Sequence, residues 1–225
     1  MRKTALINQG IYHIFNRGTE KRKIFLSKND YKRFLVNMIL FRDEDYSAQN
    51  IHRLSMSEAE SYQVKTPIVD ILCFCFMPNH YHLMLRQRKA NGVSRYLHKL
   101  QMSYSKYFNT LYERSGNLFQ GSYKAVMVEK DNQFQHLPLY IHMNPLELAE
   151  PQWKERGVKN IKGSLKFLKD YPWSSLSFYL NEHSPSYLET KDLIPFYSSR
   201  EWVEEIKSRC STPSVEQAVV DDLYV

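Results

Sequence analysis

The sequence predicts an α+β fold: a ferredoxin-like β-α-β-β-α-β antiparallel sheet with helices on one face, then a tyrosine-bearing helix and a C-terminal extension. Three observations predict it. Four short apolar or alternating runs alternate with two long amphipathic segments, turn signals separate neighbouring runs, and 225 residues suffice for one sizeable core.

The elements follow in order. "GIYHIFNRG" from Gly10 alternates and closes on Asn-Arg-Gly, a strand running into a turn. In "SKNDYKRFLVNMILFRDED", Tyr31, Phe34, Leu35, Met38 and Ile39 recur at helical spacing behind the cap candidates Ser27 and Asn29. The polar, weakly patterned stretch of about 46–66 reads as an insertion or long loop. "PIVDILCFCFM", the turn signal Pro78-Asn79 and "HYHLMLRQR" form a β-hairpin. Val93, Leu97, Leu100, Tyr104, Tyr107, Phe108 and Leu111 trace one face of a long helix that stops before Gly116. "SYKAVMVEK" is the fourth strand. "DNQFQHLPLYIHMNPLELAE" is a helix stopped by Pro145, in which Pro138 either introduces a kink or occupies the first turn. Residues 151–225 are an extension with a basic segment, Lys154 to Lys169, the stretch "YPWSS" and an acidic tail.

The formal net charge is +7, unevenly spread: from Glu201 onward two Lys/Arg stand against six Asp/Glu, so residues 1–200 carry +11. A basic body with 16 tyrosines and 12 phenylalanines suits a partner with phosphates and stackable bases. Cys73 and Cys75 lie in an apolar run and Cys210 lies far away, so no disulfide framework is expected and a reducing, cytoplasmic setting fits. No segment approaches the roughly 18 apolar residues of a membrane span, and the N-terminus has no signal-peptide core.

The chemistry centres on "FMPNHYHLML". On a strand His80, His82 and Met84 share one face, with the imidazoles about 7 Å apart, close enough to chelate one divalent ion. Alone, the pair fits packing as well as chelation, because a metal site needs further ligands. Tyr140 and Asn144, four apart on the helix after the fourth strand, supply a hydroxyl and an amide oxygen on one face; the latter suits Mg²⁺ or Mn²⁺ better than zinc. An ion that polarises a phosphodiester and stabilises phenolate implies nucleophilic catalysis on phosphorus through a phosphotyrosine.

"YHIFNRG", "MPNHYHLML", "GNLFQGSYKA", "YIHMNP" and "YPWSS" occur in one order between about residues 8 and 180, and together they resemble the single-tyrosine HUH transposases, IS200-like proteins, especially the REP-associated tyrosine transposases. The resemblance implies a catalytic domain over residues 1–150. It implies that His80 and His82 bind Mg²⁺ or Mn²⁺ with Asn144 completing the site. Tyr140 would attack single-stranded DNA beside a hairpin, a palindromic repeat or an element end, leaving a 5′-phosphotyrosine and a free 3′-hydroxyl. Strand transfer would follow, by a monomer or a homodimer. The alternatives are a non-catalytic module that binds hairpin DNA or RNA, and a domesticated hairpin nuclease without transposition.

The DNA-contact candidates are Asn16, Arg17, Lys21, Arg22 and Lys23 after the first strand, Arg86 and Arg88 beyond the histidines, and Gln120 and Lys124 around the fourth strand. The cations would grip phosphates, while Asn16 and Gln120 either touch bases or close turns. His13, on the strand expected beside the histidines, can approach them or simply pack. Tyr104 and Tyr107 read as structural, since Phe108 stands where Tyr104 would need a ligand one turn on.

Overall fold

The computed structural model describes residues 6–47, 49, 51, 54–181, 184–191, 193 and 198–211; the part of the expected acidic tail beyond residue 211 lies outside them. The elements are β1 (Ile11–Arg17), α1 (Lys28–Leu40), α2 (Met56–Ser61), β2 (Val69–Met77), β3 (His80–Gln87), α3 (Gly92–Leu111), β4 (Lys124–Met127) and α4 (Asp131–Met143). Beyond them follow α5 (Leu146–Ala149), α6 (Trp153–Arg156), α7 (Ile161–Asp170), α8 (Leu176–Leu180) and α9 (Ser199–Ser211). The strands form one antiparallel sheet in the order β2-β3-β1-β4, the ferredoxin-like arrangement expected.

Alternation splits the sheet into two faces. Tyr12 and Ile14 of β1, Phe74 and Phe76 of β2, and Tyr81, Leu83 and Leu85 of β3 are buried in one core with Phe34, Ile39, Tyr96, Leu100 and Tyr104 of α1 and α3. The opposite face carries a second core, in which Cys73, Cys75, Met77 and Met84 meet Leu137, Tyr140 and Ile141 of α4, and Trp153, Leu168, Leu176, Trp202 and Ile206 of the extension. Helices thus cover both faces: α1 and α3 one, the tyrosine helix and the extension the other.

Local chemistry explains the joints. Ser27 and Asp30 form a capping box at the start of α1, and the Asp30 carboxylate also accepts the hydroxyls of Tyr107 and Tyr112 at 3.0 and 2.8 Å. The expected insertion carries the short helix α2, and Asp43 pins its far end by accepting from the Lys65 amide at 2.7 Å and the Tyr62 hydroxyl at 3.0 Å. Gly18 donates its amide to the Asn79 carbonyl at 2.8 Å, and a Cβ there would lie 2.2 Å from the Arg22 carbonyl oxygen, so no larger residue fits.

"YPWSS" runs along the outer edge of β2. Phe76 donates its amide to the Trp173 carbonyl at 2.8 Å, Ser175 donates to the Phe74 carbonyl at 3.0 Å, and the Tyr171 hydroxyl caps the Phe76 carbonyl at 2.7 Å. This segment occupies backbone groups that an open sheet edge would leave unpaired. The acidic stretch after residue 200 begins as α9, held by buried Trp202, Ile206 and Cys210.

Candidate active site: a histidine row beneath the tyrosine helix

The register assembles the site. Cross-strand partners point to the same side, so Cys75, His82, Phe15 and Lys124 make one row across all four strands. The neighbouring rows are Met77, His80, Arg17 and Cys73, Met84, His13, Val126. One face therefore carries three histidines, Arg17 and Lys124.

The rings are in contact. His80 and His82 stand edge to face with centroids 5.0 Å apart, and His82 stacks on His13 at 5.1 Å. His13 Nε2 and His82 Nδ1 share a hydrogen bond of 2.9 Å, and His80 Nδ1 meets Asn79 Oδ1 at 2.7 Å. Burial holds all three imidazoles neutral: it lowers His13 to about 3 and His80 to about 4, and pushes His82 well below its ordinary value. Lys154 adds repulsion at both His80 and His82, whereas Glu147 pulls the other way at His80.

Helix α4 brings the tyrosine. Pro138 lies inside the helix, in its second half, so the helix passes through the proline and does not begin there. Gln133 accepts from the Glu129 and Lys130 amides at 3.0 and 3.2 Å, anchoring the helix start about two turns before the proline. Tyr140, 7% exposed, presents its ring edgewise to His82 at 5.6 Å and to His13 at 5.8 Å. Asn144 caps the helix end and donates its amide to the Tyr140 carbonyl at 2.8 Å, which leaves the amide oxygen as the ligand-capable atom.

Whether these side chains suit a divalent ion is decided by what surrounds them. His82 is 5% exposed and its Nε2 has no hydrogen-bond partner among the described residues, a buried acceptor-capable atom that an ion would satisfy. No group of three His, Cys, Asp or Glu side chains among the described residues is arranged to hold a metal ion, and an amide or hydroxyl oxygen beside His80 and His82 is the donor class suited to Mg²⁺ or Mn²⁺. The residues fit such an ion.

The other predicted residues divide. Arg17 shares the histidine face and donates to Gln120 Oε1 at 2.5 Å; Lys124 is exposed in the His82 row. Lys21, Arg22 and Lys23 follow in the adjoining turn, where Arg22 pairs with Glu20 at 3.2 Å. Asn16 is not brought into the site. It lies on the opposite face, buried, donating to the Gly121 carbonyl at 3.2 Å and accepting the Arg17 amide at 2.9 Å, which closes the loop. Arg86 and Arg88 lie at or beyond the far end of β3, paired with Asp70 at 3.4 and 3.5 Å. Tyr104 is buried with its hydroxyl on the Ile24 carbonyl at 2.5 Å, and burial raises its pKa; Tyr107 is tied to Asp30.

Lys154 is the residue that sequence reasoning missed. It was legible only as part of a basic run, yet α6 sets its ammonium 5.6 Å from the Tyr140 ring centroid and 2.8 Å from the Glu147 carboxylate. No motif marks it, since its place depends on how the extension folds back over α4.

Comparisons with known proteins bear on the fold and the family. A solved structure of a REP-associated tyrosine transposase bound to a REP hairpin is similar in fold, with a TM-score of 0.54 at 13% identity, over 82% of this chain and 88% of the other. A transposase structure from Deinococcus radiodurans R1 also matches at 13% identity, over 61% of this chain and 93% of that one, with a TM-score of 0.35. No curated protein matches in sequence. No helix among the described residues is long and apolar enough to cross a membrane. The family model of IS200-like transposases matches residues 7–144, which contain the whole sheet, His80, His82 and the Tyr140 helix: the chain belongs to the IS200-like transposases, enzymes of the single-tyrosine HUH kind.

Proposed function

We propose that this enzyme cuts single-stranded DNA beside a hairpin and rejoins it, using Tyr140 as nucleophile and a Mg²⁺ or Mn²⁺ ion held by His80, His82 and Asn144. The observation that carries this is the meeting of Tyr140 with His82 at 5.6 Å, where the His82 Nε2 is buried without a hydrogen-bond partner among the described residues. The hairpin partner is inferred from the basic histidine face and from the likeness to a transposase solved on a REP hairpin.

In the mechanism, the strand lies along the open half of the histidine face, where Arg17 and Lys124 contact phosphates and fix its position without reading sequence. The Tyr140 oxygen attacks the scissile phosphorus as the bond to the 3′-oxygen breaks; the tyrosine proton is lost and the departing oxygen gains one. A divalent ion bound by this ligand set supplies Lewis-acid polarisation of a phosphate oxygen. The Lys154 ammonium, steadied by Glu147, offsets negative charge beside the attacking oxygen. Reversal by a new 3′-hydroxyl transfers the strand. Tyr140 and His82 meet within one chain, which favours a site complete in a single copy. A DNA substrate and three free cysteines fit the cytoplasm.

The test incubates the protein and Mn²⁺ with labelled single-stranded hairpins carrying flanking sequence. A covalent adduct that survives a denaturing gel is expected for the parent and absent for Tyr140→Phe. An adduct of parental yield in that variant would overturn the assignment.

A further inference from the structure

The hydrogen bond between His13 and His82 requires one proton shared between two ring nitrogens, and its direction decides what His82 can do. If His13 donated, neutral His82 would carry its proton on Nε2, inside a buried site, and that nitrogen would have no lone pair for an ion. If His82 donates from Nδ1, its Nε2 lone pair is exposed to the ligand position. His80 repeats the arrangement: its Nδ1 meets the Asn79 side-chain oxygen Oδ1 at 2.7 Å, which must accept. The amide orientation of Asn79 is set independently, because its Nδ2 donates to the Lys21 carbonyl at 3.4 Å.

We infer that His13 and Asn79 are positioning residues that accept the Nδ1 protons of His82 and His80, locking both as Nε2-ligating tautomers for the divalent ion. This rests on the metal assignment proposed above. Both locks are side chains from outside β3. His13 stands diagonally across the β1-β3 pairing from His82, opposite Met84, and Asn79 occupies the β2-β3 turn, where its own carbonyl accepts from Gly18 at 2.8 Å. The strand therefore supplies the ligands while the first strand and the turn select their protonated edge. Partners of this kind orient the ring and raise its basicity as a ligand.

The test uses the full-length chain. Long-range ¹H–¹⁵N spectra of the metal-free parent are expected to report the Nδ1–H tautomer for both His80 and His82. In His13→Phe, which keeps a ring and removes the acceptor, the His82 signals are expected to move to the Nε2–H tautomer. Its Mn²⁺ affinity is then expected to fall about ten- to a hundredfold, and His13→Gln, which restores an acceptor oxygen, recovers most of it. Asn79→Ala should do the same at His80, with Asn79→Asp as the rescue. An Nε2–H His82 in the parent, or parental Mn²⁺ affinity in His13→Phe, would overturn the lock. The double variant His80→Ala/His82→Ala separates the two layers: if it binds Mn²⁺ like the parent, the metal assignment itself is wrong and the lock has no role.

Discussion

The two faces of the sheet are made from the same strands and are both covered by helices, but they bury different chemistry. Beneath α1 and α3, Tyr12, Ile14, Leu83 and Leu85 are fully buried among aromatic side chains, and the tyrosine hydroxyls that reach this core end on specific acceptors such as the Ile24 carbonyl. Beneath α4, the alternate residues His13, Phe15, His80 and His82 bring imidazoles into contact, with a buried nitrogen of His82 unsatisfied among the described residues. Both faces bury a polar atom without a hydrogen-bond partner among the described residues, Asn37 Oδ1 on α1 and His82 Nε2 on β3, but only the second lies against Tyr140. One-residue alternation keeps the aromatic core on one side of the sheet apart from the histidine row on the other.

Four substitution or titration experiments would break or sharpen that contrast. The largest effect is expected from Tyr140→Phe, which removes one oxygen from the chemical face: adduct formation falls below detection while the thermal midpoint stays near the parent's. Equal loss of fold would mean that both faces are structural. On the packing face, Leu83→Ala, one residue from His82, should lower unfolding free energy by about 2–5 kcal/mol in denaturant titrations, through lost transfer energy and a cavity. A cost under about 0.5 kcal/mol would show a face looser than its burial implies.

Acid should act through the histidines. The folded-state pKa values of His13 and His142 are lowered to about 3 and that of His80 to about 4, against about 6.5 in an unfolded chain. Below about pH 6.5 the unfolded state therefore binds protons that the folded state refuses, and stability falls as pH drops toward 4. Thermal melts of the metal-free protein from pH 7.5 to 4.5 should record this decline, and a flat profile would contradict the neutral histidine row. The smallest effect concerns the rim. Lys124→Ala or Arg17→Ala should weaken hairpin binding severalfold and reduce the salt slope by about one each, whereas Arg86→Ala, whose arginine is paired with Asp70, should leave both unchanged.

Much of the fold was legible. The β-α-β-β-α-β order follows from periods of 2 and 3.6 and from turn residues, and the histidine pair and the Tyr140 to Asn144 turn were visible because they are local spacings. The DNA-contact candidates were less legible. Asn16 and Arg17 are adjacent in sequence but face opposite sides of β1, and Arg86 is separated from His80 by the length of the strand. Proximity along the chain does not report which face or end a side chain occupies.

By itself the sequence determined the β-α-β-β-α-β elements, the histidine pair on β3 and the family resemblance. Tertiary structure decided the rest: that α4 runs through Pro138 and lies over the histidines, that "YPWSS" seals the edge of β2, that His13 reaches His82, and that Lys154 arrives beside Tyr140 from a segment without a motif. The physical reason is range. Propensity, capping and alternation act over a few residues and can be read in order, whereas strand register and helix packing join residues separated by 69 positions, as in the His13 to His82 bond, and are set only when two cores close on one sheet.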